Sequence, residues 1–340
     1  MREVLRDVEA WRAAGEPVAL ATVIETWGSA PRTAGSKMAL TASGRIAGSV
    51  SGGCVEGAVV EAGRETLRTG RPQRLHFGVA DDTAWAVGLA CGGSIDVFVE
   101  RLEGKSFDPL RDAVLAERAA AAVTVVEGPE PLLGRKLLLF DDGRTHGSLG
   151  PELDGAAAGA AREALAAGEA RRVRRDAVEL FAEPLLPPPT LVAVGGVHIA
   201  VALVALGKTL GYRTVVVDPR AAFGSVERFP GVDRLVTAWP DEALRDLGLN
   251  AATAVAVLTH DPKLDDPALQ VALPSPAFYV GALGSKKTQE KRRRRLLESG
   301  LTEEQLSRLH APIGLPLGGR SPEEIALSIL AEITATRRKA

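Results

Sequence analysis

In the second half of the chain, short and wholly apolar runs alternate with segments whose apolar residues recur at intervals of three and four. Residues 190–194, Thr-Leu-Val-Ala-Val, form the first such run; Gly195-Gly196 close it, and a helical pattern through Leu203, Leu206 and Leu210 follows. The alternation continues with strands predicted over 213–217, 253–258 and 277–280, and helices over 241–247 and 267–273. Strands apolar on both faces belong in a parallel sheet covered by helices on each side. This half is therefore predicted to be α/β and doubly wound. Ser321-Pro322-Glu323-Glu324 carries the cap, first-turn proline and reaching glutamate of a capping box, and predicts a last helix through Ile325, Leu327, Ile329 and Leu330.

The first half has a different rhythm. A helix that Gly15 stops is followed by strands predicted over 18–26 and 37–41, then by a hairpin turn at 42–45 into a strand over 45–50. Ser51-Gly52-Gly53-Cys54-Val55-Glu56 leads into a helix ending near Gly70; a strand over 94–100 and a helix over 108–120 follow. This is a mixed α+β pattern, with no internal repeat at the periods of solenoid proteins. The run Glu183-Pro184-Leu185-Leu186-Pro187-Pro188-Pro189 removes amide donors and favours extended backbone. It is predicted to separate an α+β domain (1–182), through a linker (183–190), from a Rossmann-like parallel-sheet domain (191–340).

Length and composition fit two ordinary globular domains: 340 residues, 46% hydrophobic and 25% charged. With 41 Lys and Arg against 43 Asp and Glu, the net charge is −2. A dedicated nucleic-acid binder would show a basic excess. No apolar stretch approaches the ~18 residues of a membrane span, and residues 1–15 lack the apolar core of a secretory signal. The expected location is cytoplasmic, and a homodimer is the base-rate assembly. Two cysteines are too few for a disulfide framework.

Both cysteines lie beside glycine pairs, Cys54 after Gly52-Gly53 and Cys91 before Gly92-Gly93. A thiol at a helix N-terminus is expected to have a lowered pKa, and the glycines would let a bulky anion approach the backbone. The alternative is a buried, inert cysteine. The two cysteines lack zinc-site spacing and the five histidines are scattered, so no metal site is expected.

In the second half, Gly195-Gly196-Val197-His198-Ile199-Ala200 resembles a dinucleotide fingerprint. Asp218 stands at the ~20-residue spacing of the ribose-binding acid, but Val197 replaces the middle glycine. A retained α/β fold without the nucleotide is the competing reading. Thr259-His260-Asp261-Pro262 and the turn from Gly281 to Gly284-Ser285 follow later strands and should converge on one crevice with Gly195 and Asp218. The basic run 286–295 reads as a solvated helix face, with a docking surface for an acidic partner as the lesser reading.

Several segments together, Glu25-Thr26-Trp27-Gly28-Ser29-Ala30-Pro31-Arg32, Ile46-Ala47-Gly48-Ser49-Val50-Ser51-Gly52-Gly53-Cys54-Val55-Glu56, Gly88-Leu89-Ala90-Cys91-Gly92-Gly93, Val217-Asp218-Pro219-Arg220, Leu258-Thr259-His260-Asp261-Pro262-Lys263 and the Gly281 to Ser285 turn, resemble the XdhC/CoxI family in order and spacing. These are accessory proteins of xanthine dehydrogenase and related molybdenum hydroxylases. The resemblance implies a chaperone rather than a turnover enzyme. It would bind molybdenum cofactor, protect it while an oxo ligand is exchanged for sulfide, and insert it into an apo molybdenum hydroxylase of xanthine or carbon monoxide dehydrogenase type. A cysteine desulfurase would be the sulfur donor.

On this reading Cys54, then Cys91, would contact the cofactor or handle sulfur, with Gly52, Gly53, Glu56, Gly92 and Gly93 around them. In the second domain the implied ligand residues are Gly195, Gly196, His198, Asp218, Arg220, His260, Asp261, Gly281, Gly284 and Ser285. The family's glycine turn is FGAGH-like; here the histidine matches and the second glycine does not. The alternative function is an NAD(P)-dependent oxidoreductase using the second domain. A protein-binding adaptor ranks last, because it leaves both glycine–cysteine turns without a purpose.

Overall fold

A computed structural model describes residues 1–30, 32–78 and 92–337. They form two compact units, Met1–Pro187 and Pro188–Ala340.

In the first unit, helix α1 (Arg2–Ala13) precedes strands β1 (Val18–Trp27), β2 (Lys37–Thr41) and β3 (Ile46–Gly48), helix α2 (Glu56–Thr69), and strands β4 (Gln73–Phe77) and β5 (Ser94–Arg101). They make an antiparallel sheet in the order β3-β2-β1-β5-β4. Residues 18–24 of β1 are apolar on both faces apart from Thr22, and both faces are covered. Ala19, Ala21 and Val23 pack with Val55 and Val59 under α2, while Val18 and Leu20 join Val4, Val8 and Trp11 of α1.

The same succession then recurs: helix α3 (Gly104–Leu115), strands β6 (Ala120–Glu127), β7 (Lys136–Phe140) and β8 (Thr145–Gly147), helix α4 (Pro151–Ala167), and strands β9 (Arg171–Arg175) and β10 (Val178–Leu185). Their order, β8-β7-β6-β10-β9, repeats that of the first sheet. The unit is thus a structural duplication at a spacing of about 100 residues, far beyond solenoid periods. Its two halves share one apolar cluster, which joins Leu5, Leu20 and Ala39 to Phe107, Leu110, Ala122 and Leu138.

Several boundaries in this unit differ from the sequence expectation. The strand predicted over 45–50 is only Ile46–Gly48, because Gly48 takes a positive φ and turns the chain into the next loop. The helix predicted over 108–120 runs from Gly104 to Leu115, since Ala120 already belongs to β6. Glu183, Pro184 and Leu185 pair with β6, so the expected linker begins too early. Pro184 is tolerated there because the β9 side of the ladder has ended at Ala182.

The second unit holds β11 (Thr190–Val194), α5 (His198–Thr209), β12 (Arg213–Val217), β13 (Arg234–Val236), α6 (Pro240–Leu247), β14 (Thr253–Val257), α7 (Pro262–Ala272), β15 (Tyr279–Ala282), α8 (Lys286–Glu298), α9 (Glu303–Ser307), β16 (Leu309–His310) and α10 (Pro322–Arg337). Its six-stranded parallel sheet has the order β13-β12-β11-β14-β15-β16, so the order in which strands are added reverses between β11 and β14. Val192 and Val194 pack into the cluster on one face, Leu191 and Ala193 into that on the other.

The capping box forms as predicted: Ser321 Oγ accepts the Glu324 amide at 3.2 Å and the Glu324 carboxylate accepts the Ser321 amide at 3.0 Å. Helix α7 starts earlier than predicted, at Pro262, because the Asp261 side chain caps it by accepting from Lys263 N at 3.0 Å. The basic run is not wholly a solvated face. Arg292 falls on the inner side of α8 with Leu296 and is 1% exposed. Among the described residues no helix is long and apolar enough to cross a membrane.

Candidate functional site

Three segments meet at one end of the first sheet. Trp27–Ala30 follows β1, the chain from Ser49 to Val55 joins β3 to α2, and Gly92-Gly93 lead into β5. A Cβ on Gly28 would stand 3.3 Å from Gly93 Cα, and one on Gly93 would stand 2.7 Å from the Trp27 carbonyl oxygen. The two backbones therefore touch, which is why glycine occupies both positions. On the other side, Arg32 Nε donates to the Ser49 carbonyl at 3.2 Å while its guanidinium donates to Glu3 at 2.6 Å.

Glu56, the first residue of α2, organises the middle loop. Its carboxylate accepts from Ser49 Oγ at 2.7 Å, Ser51 Oγ at 2.5 Å, and the amides of Ser51, Gly52 and Gly53 at 2.9, 3.0 and 2.8 Å. Burial opposes the charge, but these donors outweigh it and hold the carboxyl at about 2. The amides of Ser51, Gly52 and Gly53 thus serve a carboxylate of their own loop, and what the glycines leave open is the loop's outer side.

Gly52 and Gly53 have φ of +85° and +131°, and among the described residues a Cβ on either would meet nothing within 4 Å, so these residues leave the outer side of the loop open. Cys54 stands there, exposed and free, two residues before α2 rather than in its first turn. Cys91 lies outside the described residues. Among the described residues nothing lies within 4 Å of a Cβ on Gly92, whereas Gly93 is required by the Trp27 contact.

The second half of the duplication acts as an internal control. There Asp154 takes the place of Glu56, accepting from Ser148 Oγ at 2.7 Å and the Leu149 amide at 2.6 Å, across a shorter loop without cysteine. The β9–β10 turn is only Asp176-Ala177, where the first half has residues 78–93. The fold can be built without the cysteine loop and the long connection.

Sequence reading passed over a charged network beside these loops. His76 on β4 lies opposite Asp96 on β5, with Nδ1 2.5 Å from Oδ1. Arg74 binds Asp96 at 2.5 Å and Glu179 at 2.9 Å, and also Glu127. Burial would raise the Asp96 carboxyl, but Arg74 and His76 hold it below its usual range. The imidazole is 63% exposed and fixed by one nitrogen, two residues before Gly78. Alternation in Gln73–Phe77, set in register against Ile95-Asp96, was the available signal.

In the second unit the fingerprint residues serve the chain itself. Gly195, at φ +104°, lies against the Thr259 side chain, and the Phe223 carbonyl packs directly on Gly196. The Gly196 amide donates to Asp218 at 2.8 Å, and Arg220 donates to the same carboxylate through its amide, Nε and Nη2 at 2.9, 2.9 and 2.7 Å. The Arg220 guanidinium lies 4.0 Å over the Phe223 ring. Val197 stands at the second glycine of the fingerprint, the Phe223 backbone packs beside it on Gly196, and these contacts tie Gly195, Gly196, Asp218 and Arg220 to one another and to the loop after β12.

Gly281 is needed where Ile313 and the Tyr279 hydroxyl pack, and Gly284, at φ +138°, packs on Thr288. His198 is exposed at the start of α5 and Asp261 caps α7. Two predicted residues, His260 and Ser285, do come together, on the wall of a cavity of about 250 Å³. Lys287, Thr288, Lys291, Arg292 and Asp265 also line it, and sequence reading did not single them out as ligand residues.

A duplicated antiparallel unit bearing the exposed Cys54 loop, followed by a Rossmann-type sheet, defines a two-part class of protein, and the comparisons agree. The chain belongs to the XdhC and CoxI family: that family's model matches residues 11–78 and 113–176, and the XdhC Rossmann domain model matches 191–333. It is 29% identical over 341 residues to a probable xanthine dehydrogenase subunit of Bacillus subtilis (strain 168), covering 95% of this chain and 94% of that one. It is 28% identical over 337 residues to the molybdenum cofactor insertion chaperone PaoD of Escherichia coli (strain K12), covering 99% and 88%. A crystal structure described as a xanthine dehydrogenase from Bacillus halodurans has the same fold, with a TM-score of 0.78 at 24% identity, covering 98% of this chain and 96% of that one.

Proposed function

We propose that this protein binds molybdenum cofactor at the three-loop end of its first unit and delivers it to an apo-enzyme of xanthine dehydrogenase type. One observation carries the reading: the exposed Cys54, on a loop that Glu56 holds in shape, occurs in one half of the duplication and not in the other. The names of the relatives from Bacillus subtilis and Escherichia coli support it.

The residues suit the group. A cysteine sulfur is the soft donor that thiophilic metals take, and the open faces of Gly52, Gly53 and Gly92 leave room for a bulky ligand. The cofactor supplies the molybdenum centre at which the client enzyme works. Cys54 would hold it, and His76 would offer an oriented imidazole beside the loops. A protective role during sulfuration, with a cysteine desulfurase as donor, extends the same reading.

The test is delivery. Apo xanthine dehydrogenase mixed anaerobically with cofactor-loaded protein should gain activity faster than with free cofactor, and the Cys54→Ala protein should give no such gain. Equal gains with and without the protein would overturn the proposal.

A further inference from the structure

We infer that the cavity at the carboxyl ends of β14 and β15 is an anion site that takes the phosphate or diphosphate group of a ligand, and that it replaces the glycine turn in that role. The inference stands whether or not the first unit binds molybdenum cofactor.

Open parallel sheets bind ligands beyond the carboxyl ends of their strands, at the point where strand order reverses. Here that point lies between β11 and β14, where Gly195 lies against the Thr259 side chain and the Phe223 backbone packs on the neighbouring Gly196. The next opening along the same edge is the cavity of about 250 Å³ between the start of α7 and α8.

Helix α8, at 13 residues, presents its N-terminus to this cavity. Ser285 Oγ takes the Thr288 amide and the Ser285 carbonyl takes the Gln289 amide. Among the described residues the Lys286 and Lys287 amides meet no acceptor. A helix start with free amides and a positive dipole end favours an anion.

The side chains give a second, independent reason. Lys287 and Lys291 are one helical turn apart on the cavity wall, and among the described residues neither meets a carboxylate. Like charges at that spacing repel, so an anion between them would relieve the helix. Below them Arg292, 1% exposed, donates to Asp265 at 2.7 Å, to Gln289 at 2.6 Å and to the Leu283 carbonyl at 3.1 Å, yet among the described residues its buried Nε has no acceptor. Asp265 lies in the floor, with its oxygens taken by Thr259 and Arg292. Arg295 is held by Asp266 at 2.5 Å. Four cations thus face two carboxylates, and the balance favours an anion.

The ligand could be a phosphomonoester, as on a pterin, or a diphosphate, as on a nucleotide, and the test separates them. Inorganic phosphate, pyrophosphate and a nucleoside diphosphate would be titrated calorimetrically into the full chain at low salt, and into Lys287→Ala/Lys291→Ala. Both lysines are exposed, so the variant should fold, as circular dichroism would check. Binding of at least one anion with Kd below about 1 mM, weakened at least tenfold in the variant, is expected. Phosphate binding as tightly as pyrophosphate would assign a monoester, and tighter pyrophosphate a diphosphate. No binding, or binding unchanged in the variant, would overturn the inference.

Discussion

Lys37 on β2 reaches Glu183 on β10 at 2.8 Å, and Lys136 on β7 reaches Glu100 on β5 at 2.7 Å, so each half of the first unit sends one lysine to a glutamate of the other. Each ammonium also donates to a threonine of its own half, Thr22 at 3.0 Å and Thr124 at 2.7 Å. Lys37 is 1% exposed, and removing it strands a buried carboxylate. Lys37→Met should destabilise the protein by about 3–5 kcal/mol in urea unfolding, and Lys37→Met/Glu183→Leu should recover most of that.

The same pair sets a pH dependence. Burial pushes the Glu183 carboxyl up, but Lys37, the amino terminus of Met1 and Lys136 outweigh it and hold it below its usual value. A depressed acid contributes stability above its unfolded pKa and loses it as pH falls. The difference between wild type and Lys37→Met should therefore narrow below about pH 4. A gap that stays constant down to the acid transition would contradict the assignment.

Gly48 and Gly147 are equivalent across the duplication. Both have positive φ, and a Cβ on either would run into a backbone carbonyl, that of Lys37 or of Lys136. Strain and overlap together predict that Gly48→Ala and Gly147→Ala each cost about 2–4 kcal/mol. Similar losses in thermal unfolding would confirm that both halves use one turn; a neutral result at either position would not fit.

The duplication shows where sequence reading stops. Strand and helix patterns identified the parallel sheet and the capping box because these depend on neighbours in sequence. The Lys37–Glu183 and Lys136–Glu100 exchange joins residues far apart in sequence, and only one loop of each matched pair carries the glycines and cysteine that draw attention. Cys54 drew notice in the sequence because its glycines are adjacent to it, and the structure places it exposed on its loop. The filling of the Gly196 position by Phe223 was not, since a loop that folds over a fingerprint leaves the fingerprint unchanged. Arg292 was hidden in a basic run for a similar reason: composition does not say which residue of a helix faces inward.

Glu56 predicts a local effect. With its carboxyl held at about 2, its contribution is fully present above the unfolded value near 4.5 and is lost as pH falls toward 2. Glu56→Gln should cost about 2 kcal/mol at pH 7, as expected when hydrogen bonds to a charged acceptor are lost, and almost nothing at pH 2. Urea midpoints across that range would show it.

The packed glycine turn predicts that no dinucleotide seats its pyrophosphate on Gly195-Gly196. In the Lys287→Ala/Lys291→Ala protein, titration with NADH or NADPH should therefore leave nicotinamide fluorescence unchanged. A saturable change in the micromolar range would mean that the segment around Phe223 opens, and would revive an oxidoreductase reading.

The central claim is that Cys54 and its loop hold molybdenum cofactor. The most direct measurement is anaerobic incubation of isolated cofactor with the wild type, Cys54→Ala and Lys287→Ala/Lys291→Ala, read as pterin retained on a desalting column. Retention by the wild type and its loss in Cys54→Ala are expected. Equal retention by wild type and Cys54→Ala, or none by either, would contradict the account.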